Sequence, residues 1–186
     1  MLNHKLLKHS SSNTEFIQAS ANTIYQAFAN PEALQEWLAP GIMTGKLHHF
    51  DWREGGSYEM SLFYPDDDSK HQGKSADKED RYTAKIISLK PGKQIVLSNS
   101  FNSNDPKFSG EKILEISFTE KPGGTEVNFT FKNIPEGIRP EDNEQGTRQT
   151  LQQLKRYVEE GYAKMKDTTE IDEQDSDASA NAFSNK

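Results

Sequence analysis

Apolar residues recur along this chain at two spacings, every second position through the middle and every third or fourth near both ends, which predicts strands bracketed by helices. Residues 15–19 read as a short strand. Ser20 and Asn22 are suited to cap a helix over 23–29, where Ile24, Ala27 and Phe28 form one stripe. Pro31 opens a second short helix carrying Leu34, Trp37 and Leu38, and Pro40-Gly41 ends it. Strands near 46–53 and 57–64 follow, joined through Gly55-Gly56, and 65–78 is a polar loop. Two more hairpins pair 81–89 with 94–101 around Pro91-Gly92, and 111–119 with 125–132 around Pro122-Gly123-Gly124. A long helix over about 141–160 closes the pattern, with Gly161 as its expected stop.

Strand phase sorts these side chains onto faces. Tyr58, Met60, Leu62 and Tyr64 share one. Tyr82, Ala84 and Ile86 form a second row, Leu114, Ile116 and Phe118 a third, and Val127, Phe129 and Phe131 a fourth. The last helix offers Leu151, Leu154 and Val158. Four aligned apolar rows and one helical stripe describe an α+β, helix-grip fold: a curved antiparallel sheet of six to seven strands around a long C-terminal helix, with two short helices near the N-terminus. One helix is too narrow to cover so wide a concave face, so a cavity lined by aromatics and Met is expected.

Composition narrows the functional classes. Hydrophobic residues are 32% of the 186 and the mean hydropathy is -0.90, too polar for packing along the whole length, so the ends are expected to be unpacked. Residues 1–13 read as a flexible segment without the apolar core of a signal peptide, 14–162 as the domain, and 163–186 as a disordered acidic tail. From 164 onward six Asp/Glu stand against three Lys, which accounts for -3 of the net charge of -7 and leaves the body mildly acidic, a poor surface for nucleic acid. Cysteine is absent, which excludes disulfides and thiolate chemistry. No transmembrane segment is evident, and a cytoplasmic location is the simplest expectation.

Candidate chemistry is sparse. His48-His49 are strand neighbours that point to opposite faces and so do not share a metal. Asp66-Asp67-Asp68 lacks the spacing of a calcium loop and reads as a solvated turn. Glu141, Asp142 and Glu144 suit the N-terminal dipole of the last helix. The hairpin at Gly55-Gly56 leaves two alternatives. A loop of two or four residues sets His49, Asp51 and Arg53 beside Tyr58 and Met60 in the cavity, and a three-residue loop puts Phe50 and Trp52 there instead. No nucleophile elbow, phosphate loop or metalloprotease motif is present. A proton-shuffling cyclase would have Tyr58, Tyr82, His49 and Asp51 to work with, a weaker reading than plain binding.

The segments EWLAPGIMTGKLHHFDWREGGSYEMSL, GGTEV at 123–127 and NIPEGIRPEDNEQG at 133–146 resemble the activator of Hsp90 ATPase homologue 1-like family, within the START-like (polyketide cyclase/Bet v 1-like) superfamily. The resemblance spans about 14–160. It implies a helix-grip domain with an internal cavity for a small hydrophobic or amphipathic molecule and no cofactor, with a chaperone as a candidate partner and a monomer or homodimer as its state. The expected lining is Trp37, His49, Asp51, Arg53, Tyr58, Met60, Leu62, Tyr82, Ala84, Ile86, Leu114, Ile116, Phe118, Phe129, Phe131, Thr147, Leu151 and Leu154. Relatives typically carry Trp where this chain has Thr147, a departure that would enlarge or reshape the cavity.

Overall fold

The computed structural model describes the backbone of residues 9–181 and the side chains as far as residue 161. Seven strands form one antiparallel, curved sheet in the order β1-β7-β6-β5-β4-β3-β2. They are β1 (Ser11–Ile17), β2 (Thr44–Phe50), β3 (Ser57–Phe63), β4 (Glu79–Lys90), β5 (Gln94–Phe101), β6 (Lys112–Lys121) and β7 (Gly124–Lys132). Every neighbouring pair except β1–β7 is a sequential hairpin, so most of the sheet is a meander and the first strand closes it from the far edge. β1 starts earlier than the pattern suggested. Residues 11–13, expected in the flexible segment, pair with Phe131, Thr130 and Phe129, because alternation there is carried by small polar residues and leaves no apolar signature.

Helices α1 (Ala21–Ala29) and α2 (Pro31–Trp37) lie end to end between β1 and β2. Ser20 caps the first, its hydroxyl accepting from the Thr23 N–H at 3.1 Å, and Asn30 caps the second, its carbonyl accepting from Ala33 N–H at 2.8 Å. Pro31 sits in the first turn of α2, where its missing N–H costs no helical bond. Helix α3 (Pro140–Asn181) runs through Gly161 rather than stopping there. A glycine inside a helix costs only about 1 kcal/mol relative to Ala, and the residues around it are strong helix formers.

The core lies between the concave face and these helices. Phe28 of α1 packs edge-on against Trp37 (centroids 4.8 Å apart) and Phe118 (5.8 Å). Leu151, Leu154 and Val158 of α3 are buried, and the helix is tied to the β1 edge by Lys155 Nζ, which donates to Glu15 Oε1 (3.0 Å) and the Phe16 carbonyl (2.9 Å). Beyond β1, the Gln18 N–H donates to Glu159 Oε1 at 2.9 Å. The result is a helix anchored along its middle, with its N-terminal turns extending over the opposite end of the sheet.

Candidate functional site

The inward rows change character along the strands. At the end nearest the 90–93 and 121–124 turns, Ile116 and Phe118 are buried, with Tyr25 and Phe28 of α1 packed on Phe118, while Ala84, Ile86 and Met60 are buried in the same core. At the other end, near the 64–78 and 133–139 loops, the helices stop short. A cavity of about 850 Å³ remains there, a volume in the range of small-molecule pockets. The sheet contributes Tyr58, Leu62, Tyr82, Leu114, Phe129 and Phe131. The segment after α2 gives Leu38, Pro40, Gly41, Ile42 and Met43, and α3 gives Asn143, Gly146, Thr147 and Thr150 from its first turns. Thr150 Oγ1 donates to the Leu38 carbonyl (3.3 Å) and Gln153 Nε2 to the Gly41 carbonyl (3.0 Å), so the 38–43 segment is held against α3 as one wall.

Polar groups converge at the same end. Asp80, 4% exposed, forms an ion pair with Lys74 from the loop, and also accepts from the Lys74 N–H (2.6 Å) and the Tyr64 hydroxyl (3.3 Å). Burial acts to lower the Lys74 amine, but the Asp80 carboxylate outweighs it and holds that amine above the ordinary lysine value. Lys112, the first residue of β6, places its Nζ 4.4 Å from the Phe131 ring centroid and 5.6 Å from that of Phe101. It donates to Asn143 Oδ1 at 3.1 Å. Desolvation, reinforced by the nearby Lys74 ammonium and opposed by Asp80, lowers the Lys112 amine to about 8. Burial pushes the Tyr58 phenol up to about 12 and Tyr82 well above its usual value, so both stay protonated at neutral pH.

Of the residues expected in the lining, Tyr58, Leu62, Tyr82, Leu114, Phe129, Phe131 and Thr147 border this cavity. Met60, Ala84, Ile86, Ile116, Phe118, Leu151 and Leu154 do not; they are packed core. Phase assigned their face correctly, but α1, α2 and the middle of α3 fill the space in front of them. Trp37 is likewise core: it is 1% exposed and its Nε1 donates to the Ala27 carbonyl at 2.9 Å, so it pins α2 to α1.

His49, Asp51 and Arg53 lie on the outer face, a correction to the first of the two alternatives. Leu47 pairs with Met60, but a bulge at His48 shifts the register, so His49 pairs with Glu59 and Phe50 with Tyr58. Phe50 and Trp52 therefore turn inward, Trp52 stacking against Tyr58 with centroids 6.4 Å apart. Asp51 and Arg53 pair with each other in the loop. A cyclase constellation of Tyr58, Tyr82, His49 and Asp51 is thus split between two faces. His48 bonds Ser61 at 2.7 Å, and among the described residues no cluster of three His, Asp or Glu is placed to hold a metal.

Tyr64, Asp80, Asn99, Phe101 and Lys112 were not singled out for the cavity from sequence, although each is in phase with an apolar row: Tyr64 with Tyr58, Asp80 with Tyr82, Asn99 and Phe101 with Leu97, Lys112 with Leu114. A charged residue that extends an inward row was the available signal. Lys74 sits on a loop and had none.

No curated protein matches the chain. Solved structures do. A protein of Chromobacterium violaceum shares 26% identity, with a TM-score of 0.72 over 81% of this chain and 97% of that one. A Mycobacterium smegmatis protein at 16% identity (TM-score 0.65, 88% and 96% covered) and an AHSA1-like protein from Aeromonas hydrophila at 19% (TM-score 0.61, 82% and 93%) share the fold. The family model described as Activator of Hsp90 ATPase homolog 1-like protein matches residues 18–159, most of the sheet, both short helices and the start of α3. With that match spanning most of the chain, the chain belongs to the Activator of Hsp90 ATPase homolog 1-like family.

Proposed function

We propose that this protein is a small-molecule binding domain whose ligand, hydrophobic or amphipathic, lies between the sheet and the first turns of α3. The observation that carries this reading is the cavity itself: about 850 Å³, walled by Tyr58, Tyr82, Phe129 and Phe131 and supplied with a few polar groups at one end. A half-open pocket of this size, walled by aromatic rings, leaves apolar surface in contact with water that a ligand's apolar body would cover.

Native mass spectrometry of the purified protein tests for a retained ligand, and Nile red, an uncharged fluorophore, tests the space. One equivalent is expected to bind, and Thr147→Trp, which puts an indole into part of the cavity, is expected to weaken binding several-fold while leaving the thermal midpoint within a few degrees. Undiminished Nile red binding in that variant refutes the reading. The family's description names an Hsp90 ATPase activator, so a chaperone-regulating role is the competing reading. An Hsp90-type ATPase left unstimulated by saturating protein removes it.

A further inference from the structure

A charge in a low-dielectric cavity needs a counter-charge, and the cavity's cations meet that need unequally. Lys74 has Asp80 and Arg139 has Asp142. Lys112 has no carboxylate within ion-pair distance among the described residues. Its ammonium rests on the faces of Phe101 and Phe131 and spends one N–H on Asn143, whose own Nδ2 is held by Ser11 Oγ at 2.8 Å. Aromatic faces attract a cation without neutralising it, and two of the three ammonium donors remain for a ligand. Asn99, the cross-strand partner of Lys112, also borders the cavity, and its side-chain carbonyl is buried without a hydrogen-bond partner among the described residues.

We propose that Lys112 receives the carboxylate of an amphipathic monoacid whose apolar body lies along Tyr82, Leu114, Phe129 and Phe131. This rests on the cavity being a binding site, and adds the chemical class of its occupant. One unpaired cation matches one negative charge. A phosphate dianion in the same place would also face the Asp80 and Asp142 carboxylates, which the structure already commits to Lys74 and Arg139. The lowered Lys112 amine agrees with this: an anion beside it would restore the charge that burial disfavours.

Decanoate and decanol differ in the charged head and share the chain, so their calorimetric titration against the full protein at pH 7 isolates the effect of the charge. Decanoate is expected to bind about tenfold tighter than decanol. That advantage should disappear in Lys112→Met and persist in Lys112→Arg. Equal affinities in the parent protein overturn the proposal while leaving the binding domain standing; no binding of either overturns both. The parent protein also provides a test that needs no variant. The titratable or charged groups that line the cavity with Lys112 are Tyr58, Tyr64, Asp68, His71, Lys74, Asp80, Tyr82, Arg139 and Asp142, with Asp68 paired to His71. Burial raises all three phenols and Asp80 raises the Lys74 amine, while the Arg139–Asp142 pair holds its two groups ionised. Lys112 therefore loses its proton first on the alkaline side, and decanoate affinity should fall several-fold from pH 7 to pH 9 while decanol affinity stays level. Two level profiles overturn the assignment to Lys112.

Discussion

The two ends of one concave face have opposite fates. Near the turns at 90–93 and 121–124, the inward rows finish in Ile86, Phe118 and Val127, and Phe28 and Trp37 close over that side of the sheet. Near the loops at 64–78 and 133–139, the same rows finish in Tyr64, Asp80, Phe101 and Lys112, and the helices leave about 850 Å³ uncovered. Antiparallel pairing makes this coincidence: Leu62 opposes Asp80, Tyr82 opposes Phe101, and Asn99 opposes Lys112, so the start of one strand meets the end of its neighbour, and the polar starts Asp80 and Lys112 meet the ends of the strands before them. A sheet face is thus no single environment. Its filled end supplies stability and its open end has room for chemistry.

The largest expected difference between the ends is in stability. Trp37→Ala removes a fully buried indole and the bond that ties α2 to α1, and should cost about 3–5 kcal/mol by urea denaturation. Phe101→Ala, at the open end, removes a half-buried ring beside existing space, and about 1 kcal/mol is expected. Equal losses would abolish the distinction. Asp80→Asn falls between them, because it leaves the Lys74 ammonium without its partner in a site where Lys74 is 21% exposed and Asp80 5%. A loss of about 2 kcal/mol is expected, less than for a fully buried pair.

The same contrast governs how much could be read from the sequence. Element order, the hairpins at Gly92 and Gly123, and the faces of Tyr58, Tyr82 and Leu114 followed from period-2 alternation and turn chemistry, which are local. Which part of that face stays open is not local: it depends on where α1 and α2 end and where α3 is anchored, and so Met60, Ile116 and Leu154 were placed in a cavity that the helices fill. A one-residue bulge at His48 decided the face of His49, Asp51 and Arg53, and no feature of KLHHFDW announces a bulge. Lys112 and Asp80 were in phase with inward rows but look, in sequence, like polar strand ends.

A pH-dependent test sharpens the electrostatics of the open end. The folded Lys112 amine titrates near 8 against an ordinary 10.5, so between those values the unfolded chain holds more protons than the folded one, and this group makes stability rise with pH. Lys112→Met removes the desolvated charge and should stabilise the ligand-free protein at pH 7 by up to about 3 kcal/mol, the equivalent of the shift from 10.5 to about 8. Its advantage over the parent should shrink between about pH 8 and 10.5 and vanish above. Lys74 has the opposite sign, since its raised amine gives a contribution that is kept below 10.5 and lost only as pH climbs through the higher folded value. It is present in both proteins, so only its coupling to Lys112 enters the difference. A stability gap independent of pH would mean that Lys112 is solvated like a surface lysine.

The smallest effect is expected outside the sheet's concave face. Arg53 donates to Asp51 through Nε (3.1 Å) and a terminal nitrogen (3.0 Å), but its side chain is 71% exposed. Solvent-screened pairs of this kind contribute under about 0.5 kcal/mol. Arg53→Ala should therefore leave both the unfolding free energy and Nile red affinity nearly unchanged, whereas the same truncation would alter binding if Arg53 pointed into the cavity. Phe50→Ala is the matching inward change, two residues after the bulge at His48, and it should lower stability by about 1–2 kcal/mol through lost contact with Trp52. A large effect at Arg53 with a small one at Phe50 would reverse the register and return Asp51 and Arg53 to the cavity wall.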